Sequence, residues 1–450
     1  MSHNKLDKYM AFANSGLGSR ITKWLGLPKP LPLQRFSNNS QVVSPIVFAS
    51  TENSPLQAAL MTQFEQLKRV VLPPAQEASA NLTKVSALVF DASALASLQD
   101  LEQLYGFFHN NVKRLQQHGR VLVIGLPPEQ CSQCEQQIVQ RSLEGLVRSL
   151  GKELHKNIAC QLLYVAESAK HSLSSTLDFF LSAKSAYVSG QVIRITQPSN
   201  KQVDPIQILA QQSVLVTGAA RGIGASIAQT MADFGAKVVC LDVPQAQAAL
   251  EKTAKRIGAQ ALALDITGEH ASSVLVDYAK AHGAFDVLVH NAGITRDKTI
   301  AKMSKEAWDL VMAVNLTAPL HITQQLLEQG QLNQGARVIC VSSISGIAGN
   351  LGQTNYAVSK AGVIGMVDAL ADSFAAQGMS INAVAPGFIE TQMTAQIPMM
   401  IRQAGRRMNS MGQGGQPEDV AQTISWLARA DSLSVNGQIV RVCGQSLLGA

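Results

Sequence analysis

From residue 213 the apolar run SVLVTG passes into Gly218-Ala-Ala-Arg221-Gly222-Ile223-Gly224, and the segment that follows carries Ile223, Ile227 and Met231 on one helical face. A strand that feeds a helix through a glycine-rich turn points to a parallel α/β sheet, in which each helix returns the chain to the same sheet edge. Glycine lets such a turn close tightly and lets backbone approach a ligand, while the helix N-terminus offers N–H donors and partial positive charge. The spacing T-G-x3-G-x-G, with Gly218, Arg221, Gly222, Ile223 and Gly224 along it, therefore reads as a cradle for the pyrophosphate of a dinucleotide.

The same rhythm runs on to the C-terminus through KVVCLD (237–242), ALALDI (261–266), DVLVHNAG (286–293), RVICVSS (337–343), SINAVAP (380–386) and QIVRVCG (438–444). An earlier series is built alike: PIVFAS (45–50), ALVFDAS (87–93), RVLVIGL (120–126), ACQLLYV (159–165) and QVIRIT (191–196). The polar stretch Gln197-Pro198-Ser199-Asn200 separates the two, and 450 residues are enough for two domains. The expected organisation is an N-terminal arm (1–40), an α/β domain (41–198) and a second α/β domain (205–450), each a doubly wound parallel sheet. In the arm, Ile21, Trp24, Leu25 and Leu27 could form a short apolar face that packs on the body or a second subunit, before Pro28-Lys-Pro-Leu-Pro32 enforces an extended stretch.

The two halves also look like versions of one another. ALVFDAS pairs with VLVHNAG, RVLVIG with RVICVS, EGLVRSL (144–150) with IGMVDAL (364–370), and SAYVSGQVIR (185–194) with SLSVNGQIVR (432–441), all in one order. Their differences concern chemistry. Leu126 stands opposite Ser343, the N-terminal half has no Tyr-x-x-x-Lys, and its first βα turn, FASTENSPLQ, has no glycine. The N-terminal half is expected to be non-catalytic and empty of nucleotide, with a structural, interface or docking role.

In the second half, Asp242 ends a strand roughly twenty residues beyond the glycine turn, where a carboxylate accepts ribose hydroxyls and repels a 2′-phosphate. That favours NAD(H) over NADP(H), although Arg221 or Lys237 could pair with such a phosphate. Asp265, Ile266, Asn291, Ala292 and Gly293 fall at later strand ends; each alone could be an ordinary cap or turn residue, but together they continue the cleft. Ser343 follows another strand, and Tyr356 and Lys360 stand one helical turn apart. A phenol is a weak acid–base catalyst at neutral pH, so Lys360, with the positive charge of an oxidised nicotinamide, is expected to lower the pKa of Tyr356. Ser343 would orient a carbonyl oxygen, and no G-x-S-x-G elbow makes it a hydrolase nucleophile.

TGAARGIG, HNAG, the Ser343–Tyr356–Lys360 spacing and APGFIET (385–391) together resemble the short-chain dehydrogenase/reductase family, across about 210–450. Within it the resemblance is to β-ketoacyl-ACP reductases of the high-molecular-weight form, whose N-terminal domain is flavodoxin-like. The resemblance implies a Rossmann-type C-terminal domain and a flavodoxin-like or degenerate Rossmann-like N-terminal one. It makes Tyr356 the proton donor, Lys360 its partner and a ribose ligand, and Ser343 the substrate-orienting residue. Asn315 would hold a relay water through a locally distorted helix. Ile389 and Thr391, in the segment that also brings Pro386 and Gly387 to the cofactor, would contact the nicotinamide carboxamide. His290 replaces a usual Asn, with little effect expected. The implied reaction is NADH-dependent reduction of a 3-oxoacyl thioester in fatty-acid metabolism, by a homodimer or homotetramer. Gln334 and Gln377 stand where small carrier-dependent reductases often have arginines, which leaves acyl-CoA and acyl-ACP both open. Another secondary alcohol or ketone, or a non-catalytic NAD-binding scaffold, are the alternatives.

Charge and cysteine content narrow the partners. A net charge of +6 without a basic run argues against nucleic acid, and no apolar stretch reaches the ~18 residues of a membrane span. No secretory leader is expected. Cys131 and Cys134 form a lone C-x-x-C, read as cysteines opening a helix and not as a metal site, and a reducing cytoplasmic setting follows. Beyond the PG motif, Met393, Met399, Met400, Met408 and Met411 with Arg402, Arg406 and Arg407 suggest either a lid for an acyl chain and a pantetheine phosphate, or a helix with Met in its core face.

Overall fold

The computed structural model describes residues 7–27, 29–37, 45–77, 83–199, 208–392, 394–396 and 398–447. Both ends of the arm (1–6 and 38–40), Pro28, the start of the first domain, the inter-domain segment 200–207, Met393 and the apolar tail beyond Leu447 lie outside the described residues.

The apolar runs of both halves become strands: β1 (Ile46–Ser50), β2 (Val71–Leu72), β3 (Val85–Asp91), β4 (Leu115–Gly125), β5 (Ala159–Val165) and β6 (Gln191–Ile195), then β7 (Ser213–Thr217), β8 (Lys237–Asp242), β9 (Gln260–Ala263), β10 (Phe285–His290), β11 (Leu332–Val341), β12 (Ser380–Pro386) and β13 (Ile439–Val442). Their pairing is parallel throughout, in a six-stranded sheet of order β2-β1-β3-β4-β5-β6 and a seven-stranded sheet of order β13-β12-β11-β10-β7-β8-β9. Every residue of β5 and β12 is buried, as expected of strands covered by helices on both faces. The two-residue β2 was not anticipated; Pro73 and Pro74 follow it at once and cannot donate to a ladder.

The internal repeat is structural. β3 to β6 pair with one another as β10 to β13 do, and a register shift falls between Val85 and Ala87 in one sheet and between Phe285 and Val287 in the other. Deleting β9 from the second order reproduces the first. The domains meet through the same edges. Arg194 N–H donates to Gln438 Oε1 (3.0 Å) and Arg441 N–H to Gln191 Oε1 (2.9 Å), a reciprocal pair that marks a local pseudo-two-fold axis. Phe179 stacks on Trp426 at 4.6 Å, and the Arg429 guanidinium lies between Asp178 and Asp431. These apolar residues belong to a core shared by both domains.

The apolar face expected in the arm does not pack on the body of its own chain. Ile21, Trp24, Leu25 and Leu27 are exposed, Trp24 by 85%. The extended stretch after them is what grips the body: Leu31 O accepts from Asn157 Nδ2 (2.8 Å) and Gln413 Nε2 (2.6 Å), and Arg35 pairs with Asp419. Cys134 does open a helix, Cys134–Glu153. No helix among the described residues is long and apolar enough to cross a membrane.

Candidate active site

The glycine turn is shaped by close approach. A Cβ on Gly224 would lie 2.0 Å from Gly218 O, and one on Gly218, whose φ is 69°, would lie 2.8 Å from Ala292 Cα. The helix Gly222–Asp233 begins at Arg221 without a side-chain cap, which leaves first-turn N–H groups to donate to an anion. Asn291 braces the turn: its Nδ2 donates to Thr217 O (3.0 Å) and Gly218 O (3.1 Å), while Thr217 Oγ1 accepts from the N–H groups of Asn291 and Ala292. Asp242 accepts from the N–H groups of Ala220 and Val243, both at 2.9 Å, so its carboxylate stands directly beside the turn.

From this turn a cleft of about 480 Å³ passes Arg221, Ile223, Asp242, Asp265, Ile266 and the Asn291–Gly293 segment to reach Tyr356, Lys360 and Thr391. Pro386, Gly387 and Ile389 were expected along it and are not among the residues that line it. Gly387 N–H is held by Val442 O, and Ile389 is buried against Gly415, with which it forms a β-bridge. Backbone pairing at the sheet edge decides this, and it leaves Thr391 and Gln392 as the lining of that end.

The helix Thr354–Ala376 carries Tyr356 and Lys360, with Nζ 5.7 Å from the Tyr356 ring centroid. Ser343 caps the short helix Ile344–Ala348 through Ser345 N–H (3.1 Å) and hydrogen-bonds the Tyr356 hydroxyl. Lys360 is buried and donates to Val341 O at 2.7 Å. Burial lowers its pKa to about 8. The pKa of Tyr356 is raised, because desolvation outweighs the Ser343 hydrogen bond and Asp297 adds repulsion; the expected lowering is that of Lys360 acting together with an oxidised nicotinamide.

The distorted helix is present as a π turn over Ala313–Thr317, set between the helices Lys305–Met312 and Ala318–Glu328. Buried there, Asn315 accepts from Ile294 N–H (2.9 Å) and donates to Ile294 O and Ser359 Oγ (both 3.0 Å), tying the loop after β10 to the helix that carries Tyr356 and Lys360. A Cβ on Gly293 would lie 3.3 Å from Lys360 Nζ and 3.4 Å from Asn315 Oδ1, so glycine leaves room for both. His290 is buried with Nε2 2.8 Å from Thr323 Oγ1, and desolvation takes its pKa down to about 3.

The lid arginines are committed elsewhere. Arg406 is paired bidentately with Glu390 through Nε and Nη2, and Arg407 with Asp7 and Gly412 O. Arg402 donates to Ala395 O at 3.3 Å, and no carboxylate among the described residues pairs with it. Arg406 and Arg407 therefore act as internal struts between these segments. Met399 and Met400 are exposed, whereas Met411 is buried in the core. Thr217, Ser359 and the Val341 carbonyl went unrecognised in the sequence, since a Thr or Val in a strand and a Ser in a helix carry no signal of their own.

Two hydroxyls side by side over a buried ammonium, at the end of a cleft that starts at an anion cradle, can hold an oxygen atom and move a proton to it. Residues 218–444, about half the chain, match the family model described as enoyl-(acyl carrier protein) reductase. The chain belongs to the short-chain dehydrogenase/reductase family, whose members are oxidoreductases. It is 40% identical to the 3-oxoacyl-[acyl-carrier-protein] reductase of Thermotoga maritima over 234 residues, 51% of this chain and 95% of that protein. The enzyme of the same name from Vibrio cholerae is 37% identical over 231 residues (51% and 95%). The human (3R)-3-hydroxyacyl-CoA dehydrogenase is 37% identical over 246 residues (51% and 93%).

Proposed function

We propose that the C-terminal domain reduces a 3-oxoacyl thioester to the 3-hydroxyacyl thioester with NADH, and that the carrier is CoA or acyl-carrier protein. The carrying observation is the grouping of Ser343, Tyr356 and Lys360 at the far end of the cleft that opens at Gly218–Gly224. The names of the relatives support the 3-oxoacyl class. The bound dinucleotide supplies the hydride. Ser343 and Tyr356 hold the ketone oxygen by hydrogen bonds, and Tyr356 passes its proton to that oxygen as negative charge builds there. Burial keeps Tyr356 protonated until then, and the Lys360 ammonium stabilises the phenolate left behind. Lys360 also faces the cleft, where it can donate to a ribose hydroxyl. Asn315 is assigned to holding the cleft loop against the catalytic helix, with its relay water.

Asp242 supports NAD(H), since its carboxylate beside the glycine turn would repel a 2′-phosphate. The six-stranded order 2-1-3-4-5-6 of the first sheet contains the 2-1-3-4-5 order of flavodoxin-like folds, with one strand added at the edge, and supports that reading of the N-terminal domain. An empty N-terminal cleft is supported by Gln140. The alignment that pairs Gly145 with Gly365 places it opposite Lys360, where its Nε2 bonds Ala92 O (2.8 Å) and Leu95 O (2.9 Å).

The test follows NADH absorbance with acetoacetyl-CoA. Tyr356→Phe should cost about 10²–10⁴-fold in rate with NADH affinity retained, and Asp242→Ala should narrow the preference over NADPH. No turnover of any 3-oxoacyl thioester by the wild-type chain would move the reading to another ketone. Full activity in Tyr356→Phe would refute the assignment of the acid.

A further inference from the structure

We propose that Tyr187, a residue of the non-catalytic N-terminal domain, is a positioning residue for the reaction: its hydroxyl and ring hold the segment Asn409–Gly415, which in turn holds the loop that leads to Thr391 in the cofactor cleft. The inference rests on the proposed function for its consequences on turnover, and on geometry for the rest. Tyr187 is buried, and its hydroxyl donates to Gln413 O at 2.8 Å and accepts from Asn409 Nδ2 at 3.3 Å. Its carbonyl accepts from Gly444 N–H at 2.9 Å. A Cβ on Gly415 would lie 2.5 Å from the ring, and one on Gly444 2.7 Å, so these two glycines are where catalytic-domain backbone lies flat on the tyrosine. Gly415 then forms two backbone bonds with the cofactor loop, donating to Phe388 O (3.0 Å) and accepting from Glu390 N–H (2.8 Å). Thr391, next in sequence, lines the cleft.

The pseudo-two-fold axis supplies a control inside the same chain. Ser434 pairs with Tyr187 in the repeated sequence and also crosses the interface, donating to Ser172 O at 3.0 Å. Both hydroxyls bond a backbone carbonyl ahead of the helix opposite, but the segment Ser434 reaches belongs to the half without Tyr-x-x-x-Lys. The catalytic side carries a ring and two glycines where the other side carries a serine.

The full-length chain, as Tyr187→Phe and as Ser434→Ala, is compared with wild type by amide exchange over 388–391 and 409–415 and by steady-state kinetics. The variant loses both bonds of the hydroxyl; Asn409 Nδ2 keeps its bonds to Arg406 O and Gln413 O, so the loss of the bond to Gln413 O, about 0.5–1.5 kcal/mol, sets the expected effect at about two- to tenfold faster exchange there. The KM values for NADH and acetoacetyl-CoA should rise by a similar factor while kcat stays within about twofold. Ser434→Ala should change neither. Unchanged exchange and KM in Tyr187→Phe would overturn the proposal, as would equal effects in Ser434→Ala, which would mean general loosening of the interface. Should Tyr187→Phe fail to fold, Asn409→Ala removes the other partner of the hydroxyl and is subject to the same comparison. If the wild-type chain turns over no thioester, the NADH dissociation constant replaces KM, so failure of the chemical reading and failure of this one remain distinct.

Discussion

Replacing Lys360 by methionine should remove catalysis and leave the protein's stability nearly independent of this position's pH. The ammonium sits buried among β11 and the catalytic helix with Val341 O as its acceptor, and its pKa falls from 10.5 to about 8. At about 1.4 kcal/mol per pH unit, keeping that charge in the folded state costs about 3 kcal/mol at neutral pH. Methionine lifts that cost but leaves the Val341 carbonyl without a donor, a penalty of about 1–3 kcal/mol. The variant should therefore be as stable as wild type at pH 7, or more stable by about 2 kcal/mol. The sign reverses with pH. Between the folded value near 8 and the unfolded value of 10.5 the native lysine has lost its proton while the unfolded one keeps it, so wild type gains stability as pH rises. Urea unfolding without cofactor, at pH 7 and about pH 9.5, reads this as a double difference in which all other titrations cancel. Wild type should gain roughly 2 kcal/mol on the variant over that interval. A constant difference would refute the premise that the ammonium is desolvated, and with it the picture of a lysine whose charge is held ready for phenolate and ribose.

Two further outcomes follow from the same site. His290, lowered to about 3 by burial, stays neutral in the fold while the unfolded chain takes up a proton below 6.5; wild type should lose roughly 2–3 kcal/mol relative to His290→Asn as pH falls to about 4.5, and equal acid sensitivity in urea titrations would contradict it. Gly224→Ala forces its Cβ toward Gly218 O, so the turn must open; we expect a stability cost of about 1–3 kcal/mol and at least roughly tenfold weaker NADH binding, whereas unaltered fluorescence titration would deny the turn its role as pyrophosphate cradle.

The alternation of apolar runs and helical segments located twelve of the strands; for the buried ones this is because a strand covered on both faces must be apolar along its length and needs no partner in view to be recognised. That Tyr356 and Lys360 share one helix face was legible for a similar reason: four residues along a helix is one turn, whatever else the chain does. The internal repeat was legible too, and SAYVSGQVIR against SLSVNGQIVR proved to mark the two edges that meet across the pseudo-two-fold axis.

What sequence by itself determined, then, was local: element type, the glycine turn, and which side chains share a helix face. The tertiary structure decided what depends on neighbours far along the chain. It paired Ile389 with Gly415 and buried it, and it committed Arg406 to Glu390 and Arg407 to Asp7. It raised the Tyr356 pKa, since desolvation counts every group that excludes water, and not only the residue a turn away. It also brought Tyr187 to Gln413 across the two domains. Periodicity records which face of an element is buried, but not which distant atom covers it, and burial and pairing are set by that atom.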